Sequence, residues 1–470
     1  MTLIKSISGI RGTIGGTPGE ALTPIDIVKF TYAYCVKLRE RRPKPAGERY
    51  RVVVGKDARI SGQMVEQLVC GSLIACGVDV IKAGYASTPT TEMAVIFEKA
   101  DGGIILTASH NPKQWNALKL LNEKGEFLNA AEGAAILECA EQENFDFADV
   151  DSLGSIVEKD FTDAHIDAVL ALDAVDVEAV KKAGFKVALD AVNSVGGIIM
   201  PKLFERLGVE CVKVNCEPTG HFAHNPEPLP ANLVELCETV VREKADLGVS
   251  VDPDVDRLAL ICENGQPFGE EYTLVSVADY ILSREKDGKK LATSSNLSSS
   301  RALRDVTESY GGQYFAAAVG EVNVTTKMKE CGAIIGGEGN GGVIYPALHY
   351  GRDAIVGAAL FLTNLAYKKM KVSELQKTYP QYYITKNRID LSDKSLIDKI
   401  LSEMKNIYAS EDINDIDGVK ISFETQKEWV HLRKSNTEPI IRIYAESATR
   451  ESAEKLASEI KAIAEKIIKG

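Results

Sequence analysis

Four short polar segments hold the residue types that could do chemistry. Thr107-Ala108-Ser109-His110-Asn111-Pro112 directly follows the apolar run GGIIL. A polar cluster beyond the end of a buried parallel strand lies where open α/β sheets place ligands, and Ser109 would be presented there as a nucleophile or phosphate acceptor. SHNP taken alone reads first as an Asn-Pro turn with a capping serine. Asp252-Pro253-Asp254-Val255-Asp256-Arg257 follows LGVSV. Residues two apart in an extended segment point the same way, so these carboxylates can converge on one hard cation, with a phosphate oxygen completing the shell. A plain acidic turn accounts for the aspartates but gives no reason for Val255. An EF-hand fails because Arg257 stands where that loop needs glycine, and LALIC reads as a strand inside it.

In Gly336-Gly337-Glu338-Gly339-Asn340-Gly341-Gly342 the glycines let backbone approach a ligand, while Glu338 and Asn340 offer an acceptor and an amide to sugar hydroxyls. Flexible glycine turns are common, and neither the Walker nor the dinucleotide pattern matches. Arg433-Lys434-Ser435-Asn436-Thr437-Glu438-Pro439, with Arg442 three residues on, concentrates the donors that a phosphate dianion requires. An ordinary charged surface turn explains that segment equally well. His221 and His224 have HxxH spacing, yet Pro218, Gly220, Pro226, Pro228 and Pro230 forbid a regular helix there, so HFAH reads as an ordered proline-rich loop.

The elements around these segments follow one grammar. Strand runs at Arg51 to Gly55, Val78 to Ala83 and Gly102 to Thr107 alternate with helical periodicity, for example over Gln63 to Cys76. The pattern recurs with Lys186 to Asp190, Glu210 to Val214 and Leu247 to Val251. It recurs again with a helix near Tyr272 to Glu285 and strand runs at Leu291 to Ser294 and Ala333 to Gly337. Alternation of this kind predicts α/β units with mostly parallel sheets. After about Tyr379, short strands at Gly418 to Phe423, Trp429 to Arg433 and Ile440 to Ala445 precede one terminal helix. That helix has Leu456, Ile460, Ile463 and Ile467 on one face, an α+β pattern. Limits near 168, 268 and 378 give segments 1–168, 169–268, 269–378 and 379–470.

Bulk properties narrow the function. A chain of 470 residues exceeds one small binding module, and 45% hydrophobic with 26% charged residues is enough for several packed cores. The net charge of -12 opposes non-specific attraction to nucleic acid or an anionic bilayer, which favours a small-molecule partner. No apolar run reaches the roughly 20 residues of a membrane span, and the N-terminus lacks a signal-peptide core, so a cytoplasmic protein is expected. Nine cysteines without a CxxC fit reduced thiols in that compartment. Among the histidines only His110 sits in a chemically suggestive motif.

Taken together and in order, SGIRG around Arg11, GKDARISG, TASHNP, NALK through Lys119, NPEP, DPDVDR, GEGNGG and RKSNTEP resemble the α-D-phosphohexomutase superfamily over essentially the whole chain. The resemblance implies three related α/β domains with mixed, mostly parallel sheets and a smaller C-terminal α+β domain, arranged around a central cleft. It implies a phosphoserine at Ser109, and Mg2+ held by Asp252, Asp254, Asp256 and an oxygen on Ser109. Lys119, with His110 nearby, would transfer protons, a task that needs a depressed pKa in a partly desolvated cleft. Arg11 and Arg257 would stabilise the transferring phosphoryl. Glu338 and Asn340 would hold sugar hydroxyls, while Arg433, Ser435, Asn436, Thr437 and Arg442 would bind the phosphate that is not reacting.

The implied activity is that of an isomerase moving a phosphoryl group reversibly between O1 and O6 of a hexose phosphate. A hexose 1,6-bisphosphate serves as intermediate and activator, and the protein works as a monomer or homodimer without nucleic acid or membrane. Interconversion of glucosamine 6-phosphate and glucosamine 1-phosphate leads among the substrates, ahead of mannose and glucose phosphates. The family's metal loop commonly reads DGDGDR, so Pro253 and Val255 alter its backbone freedom, and GEGNGG differs from the GEMSAH and GEQSGH loops of two bacterial branches. Two readings of another class are a magnesium-dependent sugar phosphatase, which would release inorganic phosphate, and a silent sugar-phosphate sensor. A sensor would dispense with Ser109 or an aspartate, and all are present.

Overall fold

Strands rich in β-branched residues and bounded by glycine build the sheets that carry the loops above. The computed structural model describes residues 2–6, 9–45, 47–285, 291–391, 395–434 and 440–469. They divide into two compact units, Met1–Thr273 with Gly341–Leu375, and Leu274–Asn340 with Gln376–Gly470. The expected third segment, 269–378, contributes to both.

In the first unit, β1 (Ile4–Ser6), β2 (Gly9–Thr13), β3 (Tyr50–Lys56), β4 (Val78–Tyr85), β5 (Gly102–Leu106), β6 (Trp115–Leu121) and β7 (Ile156–Glu158) form one sheet in the order β1-β2-β6-β5-β3-β4-β7. β5, β3, β4 and β7 run parallel, whereas β6, β2 and β1 join by antiparallel pairing. Successive residues feed opposite faces. Val52, Val54, Ile104, Leu106, Leu118 and Leu120 enter one core, while Val53, Ile105 and Leu121 enter another. This is the double burial of a sheet covered by helices on both sides. Gly102 lets the Tyr34 ring close on β5: a Cβ there would lie 2.0 Å from Tyr34 Oη, which donates to the Leu121 carbonyl at 2.8 Å.

A second sheet of the same unit contains β8 (Lys186–Asp190), β9 (Glu210–Val214), β10 (Leu247–Val251) and β11 (Leu258–Cys262) in the order β11-β10-β8-β9. β10, β8 and β9 are parallel, and β11 turns back antiparallel to β10. The helix Ala354–Lys368 is capped by Asp353, whose side chain accepts from the Ile355 and Val356 amides, and is buried on all sides over residues 354–366.

The second unit holds the parallel strands β12 (Ala292–Asn296), β13 (Gln313–Ala317) and β14 (Ile335–Glu338) in the order β13-β12-β14. β15 (Gly342–Ile344) follows β14 in the chain and belongs to the first unit. Five antiparallel strands complete the second unit: β16 (Tyr383–Asp390), β17 (Asp412–Asn414), β18 (Val419–Phe423), β19 (Glu428–Lys434) and β20 (Ile440–Ser447), in the order β16-β20-β19-β18-β17. Val430, Leu432, Ile441 and Ile443 pack there on Ile460 and Ala457 of the terminal helix Arg450–Lys469, with Ile463 and Ile467 at the margin, as the periodicity requires. All nine cysteines are free thiols. No helix among the described residues is long and apolar enough to cross a membrane.

Candidate active site

Ser109 follows β5 on a tight turn and has a left-handed φ of 48°, an uncommon backbone state for a non-glycine residue. Its Oγ donates to Asp252 Oδ2 at 2.7 Å, across from β10, and His110 Nδ1 lies 3.4 Å from the same hydroxyl. The turn is held from inside by Arg59. The guanidinium donates to the Pro112, Trp115 and Asn111 carbonyls at 2.8, 3.1 and 2.7 Å, and also to the Ser109 carbonyl. Asp57 neutralises Arg59 and accepts from the Thr107 hydroxyl, whose oxygen receives the Ser109 amide.

The three aspartates are fully buried. They converge through a turn and not through strand alternation: the Val255 amide donates to the Asp252 carbonyl at 3.0 Å, and Val255 itself has φ 62°. Each offers an oxygen within 4.8 Å of the others. Asp252 Oδ1 accepts from the Asp256 and Arg257 amides. Asp254 Oδ2 accepts from Thr88 Oγ1 at 2.6 Å and Lys119 Nζ at 2.7 Å, and Asp256 Oδ2 accepts from Arg352 at 2.7 Å. Asp254 Oδ1 and Asp256 Oδ1 are buried with no hydrogen-bond partner. Orphaned, mutually repelling carboxylate oxygens are what a hard divalent cation satisfies, so the donor set fits one.

Electrostatics point the same way. Burial, then Asp256 and Asp254 beside it, pushes the Asp252 carboxyl well up. Burial would also raise Asp254, but Lys119 and the Thr88 hydroxyl hold it well below the usual carboxylate range. Burial lowers His110, and Arg257, Arg352 and Arg11 around it reinforce the effect against Asp254, so the imidazole stays neutral. Burial and then Arg257 lower Arg11. Arg11 Nε and Arg257 Nε are buried without hydrogen-bond partners, Arg257 being ion-paired with Glu227 at 3.5 Å and with Asp256 at 3.9 Å, so both guanidiniums keep donors that an anion would satisfy.

Lys119 departs from expectation. Burial alone would depress it, but its ion pairs with Asp254 and with Asp256 at 3.6 Å outweigh that and hold it above its ordinary value. The depressed pKa expected of a proton acceptor is therefore not found while those carboxylates grip the ammonium.

The other predicted residues belong to the second unit. Glu338 ends β14 and is buried, with Oε1 accepting from Asn296 Nδ2 at 2.8 Å and the Gly320 amide at 3.1 Å. Asn340 sits two residues on in the following turn. Ser435, Asn436 and Thr437 lie outside the described residues. Arg433 is paired with Asp417 at 2.7 Å and stands directly opposite Arg442 on β20, which stands opposite Arg388 on β16. Like charges facing each other across three strands disfavour one another unless an anion joins them.

Sequence reasoning missed Arg59, Asp57, Thr88, Arg352 and Arg388. GKDARISG carried a signal for the first two, since a buried Asp-x-Arg next to a strand end must neutralise itself locally. Nothing in the sequence marked Arg352.

Four family models cover the chain in order: phosphoglucomutase/phosphomannomutase alpha/beta/alpha domain I at residues 3–147, domain II at 163–265 and domain III at 269–383, and the C-terminal domain at 388–463. The chain belongs to the phosphoglucomutase/phosphomannomutase family, the α-D-phosphohexomutases, which are isomerases acting as intramolecular phosphotransferases. It is 37% identical to a phosphoglucomutase/phosphomannomutase of Thermococcus kodakarensis over 94% of this chain and 95% of that one. It is 32% identical to a phosphoglucosamine/phosphogalactosamine mutase of Sulfurisphaera tokodaii, over 97% and 98%. A crystal structure of a phosphoglucomutase/phosphomannomutase family protein from Burkholderia thailandensis has the same fold, with TM-score 0.85, 24% identity and coverage of 100% and 99%.

Proposed function

We propose that this phosphohexomutase transfers a phosphoryl group between O1 and O6 of a hexose phosphate, with Ser109 as the relay, and that glucosamine phosphate is its preferred substrate. The observation that carries the reading is the 2.7 Å contact between the Ser109 hydroxyl and a buried aspartate triplet in which two oxygens accept no hydrogen bond. Mg2+ held by Asp252, Asp254, Asp256 and an oxygen of phosphorylated Ser109 would neutralise charge at the phosphoryl group.

The chain's own residues do the rest. Arg59 and Thr107 fix the serine so that its P–Oγ bond is presented in one orientation, and in-line positioning supplies much of the rate. As that bond breaks and a P–O bond to the sugar forms, Arg11 and Arg257 donate to the equatorial oxygens. Lys119 takes the sugar hydroxyl proton at Nζ and returns it in the second half-reaction. Accepting that proton requires Asp254 and Asp256 to release their hold and the ammonium first to give a proton to solvent, so that Nζ is neutral when the sugar hydroxyl arrives. Neutral His110 stays beside the serine oxygen as a hydrogen-bonding partner. Arg433, Arg442 and the segment Ser435 to Thr437 would bind the distal phosphate, and Glu338 and Asn340 the sugar hydroxyls. The protein would work in the cytoplasm as a monomer or homodimer.

The test is intact mass before and after incubation with each candidate hexose 1,6-bisphosphate, joined to turnover assays on the glucosamine, mannose and glucose monophosphates. Wild type should gain one phosphoryl group, and Ser109→Ala should gain none and lose at least about 10³-fold in kcat. Stoichiometric release of inorganic phosphate would identify a phosphatase instead. The Sulfurisphaera relative supports the amino sugar, and the Thermococcus relative supports the rival. A kcat/KM for glucosamine phosphate below that for mannose or glucose phosphate would transfer the assignment to them.

A further inference from the structure

A second set of metal-type ligands is buried in the first unit. His165 on the helix Thr162–Leu170, His349 and Asp353 each bring a ligand atom within 4.8 Å of the others, and none of the three is appreciably exposed. Asp353 Oδ2 lies 3.0 Å from His165 Nε2 and 3.3 Å from His349 Nε2. Ligands about 2.0–2.1 Å from a tetrahedral zinc are separated by about 3.3 Å, so both distances match edges of such a site.

The outer partners are also in place. His165 Nδ1 lies 3.0 Å from Thr90 Oγ1, and His349 Nδ1 lies 3.3 Å from Glu92 Oε2. Tying the far nitrogen of each imidazole to an oxygen is how metal-binding histidines are oriented, with Nε2 left for the ion. Asp353 Oδ1 is used by the Ile355 and Val356 amides, which leaves Oδ2 as a single-oxygen ligand. Gly351 makes room: a Cβ there would lie 1.9 Å from Glu92 Oε2 and 2.8 Å from His349 Cε1. Two buried carboxylates, Asp353 and Glu92, stand beside the two imidazoles and match one divalent charge.

We propose that His165, His349 and Asp353 form a structural site for a divalent transition metal, zinc by ligand type, with a solvent oxygen in the fourth position. Imidazole ligands separate it in chemistry from the all-carboxylate triplet, which suits a harder ion. Its consequence reaches that triplet. The site joins the helix Thr88–Glu98, whose Thr88 holds Asp254, to the loop whose Arg352 holds Asp256.

The experiment uses the full chain, stripped with chelator and reloaded with equimolar zinc in excess magnesium, then desalted. Metal analysis should find one zinc per chain, and X-ray absorption at the zinc edge should show two imidazoles per ion. His165→Ala and His349→Gln should each lose the retained zinc, while Asp254→Asn keeps it. Failure to retain zinc, an all-oxygen shell, or a shell with a single imidazole, which His110 beside the triplet could supply, would overturn the proposal. Because the absorption measurement is made on wild type, it decides the matter even where a variant does not fold.

Discussion

At the scale of single residues, two side chains around the serine have effects that can be separated from their neighbours. Arg59 binds four backbone carbonyls of the segment 109–115 with one planar fork, a task a lysine point charge cannot reproduce. Arg59→Lys keeps the charge opposite Asp57, so the fold survives while the turn loosens. The expected outcome is a fall of about 10–100-fold in kcat and in the rate of Ser109 phosphorylation, measured with bisphosphate and quenched-flow mass analysis. An unchanged phosphorylation rate would show that the clamp does not govern the turn. Val255 gives a second test. It is fully buried, near the place where a Cβ on Gly196 would sit, yet holds φ 62°. Left-handed backbone costs a β-branched residue about 1–2 kcal/mol, which glycine removes and alanine does not. Val255→Gly should therefore be the more stable of the pair by about 1 kcal/mol, reversing the usual order, and Val255→Ala should lose about 1–2 kcal/mol to the cavity. Denaturant melts that rank alanine above glycine would remove strain from the account.

Among the elements, legibility followed burial pattern and chain distance. Runs such as RVVVG, GGIIL and LGVSV are apolar on both faces and end in glycine or a polar loop, and each became a parallel strand. β6, which carries Lys119, was not read as a strand because NALKLL places a lysine and an asparagine inside a buried run, and their partners lie far along the chain. β7 is three exposed residues with no periodicity to detect. The three carboxylates do come together, but through a turn and not through strand alternation, because the left-handed state of Val255 has no signature in composition. Arg352 and His165 needed tertiary contacts to acquire meaning. One such contact sets a pH response in the second unit. His431 on β19 lies 2.9 Å from Ser298 Oγ through Nδ1 and 2.6 Å from the Asp417 carbonyl through Nε2, the pattern of a neutral imidazole that accepts at one nitrogen and donates at the other. Burial is the main cause that lowers its pKa from 6.5 to about 4. The folded form thus refuses a proton that the unfolded chain accepts, so stability is full above 6.5, declines as pH falls through that value and levels off near 4. The complete loss is about 3 kcal/mol. His431→Gln, which keeps both hydrogen bonds without titrating, should flatten that slope in calorimetry between those limits, and a slope equal to that of wild type would assign it elsewhere.

For the whole molecule, the division into two compact units makes these responses addressable one at a time. The first unit contains Ser109, Lys119, Arg11, Arg257, Arg352 and the three buried aspartates, while the second contains Glu338, Asn340, Arg433, Arg442 and His431. An ion that binds only the folded triplet stabilises the unit that owns it by mass action, about 2.7 kcal/mol at a hundredfold excess over Kd. For a unit of this size that is a rise of about 3–5 °C in its transition. Acidification from pH 6.5 towards 4 acts on His431 in the second unit and on neutral His110 in the first, so both transitions fall, and His431→Gln removes only the second unit's share. Scanning calorimetry of the intact chain, with magnesium and pH varied independently, should then resolve two transitions, of which one alone responds to magnesium. Magnesium should raise one, and Asp254→Asn should abolish that rise, because it removes a ligand from a set with no spare carboxylate. His431→Gln should leave the magnesium response intact. A single transition that shifts equally with both variables would mean that the two units unfold as one body, and that ligands on one are felt in full by the other.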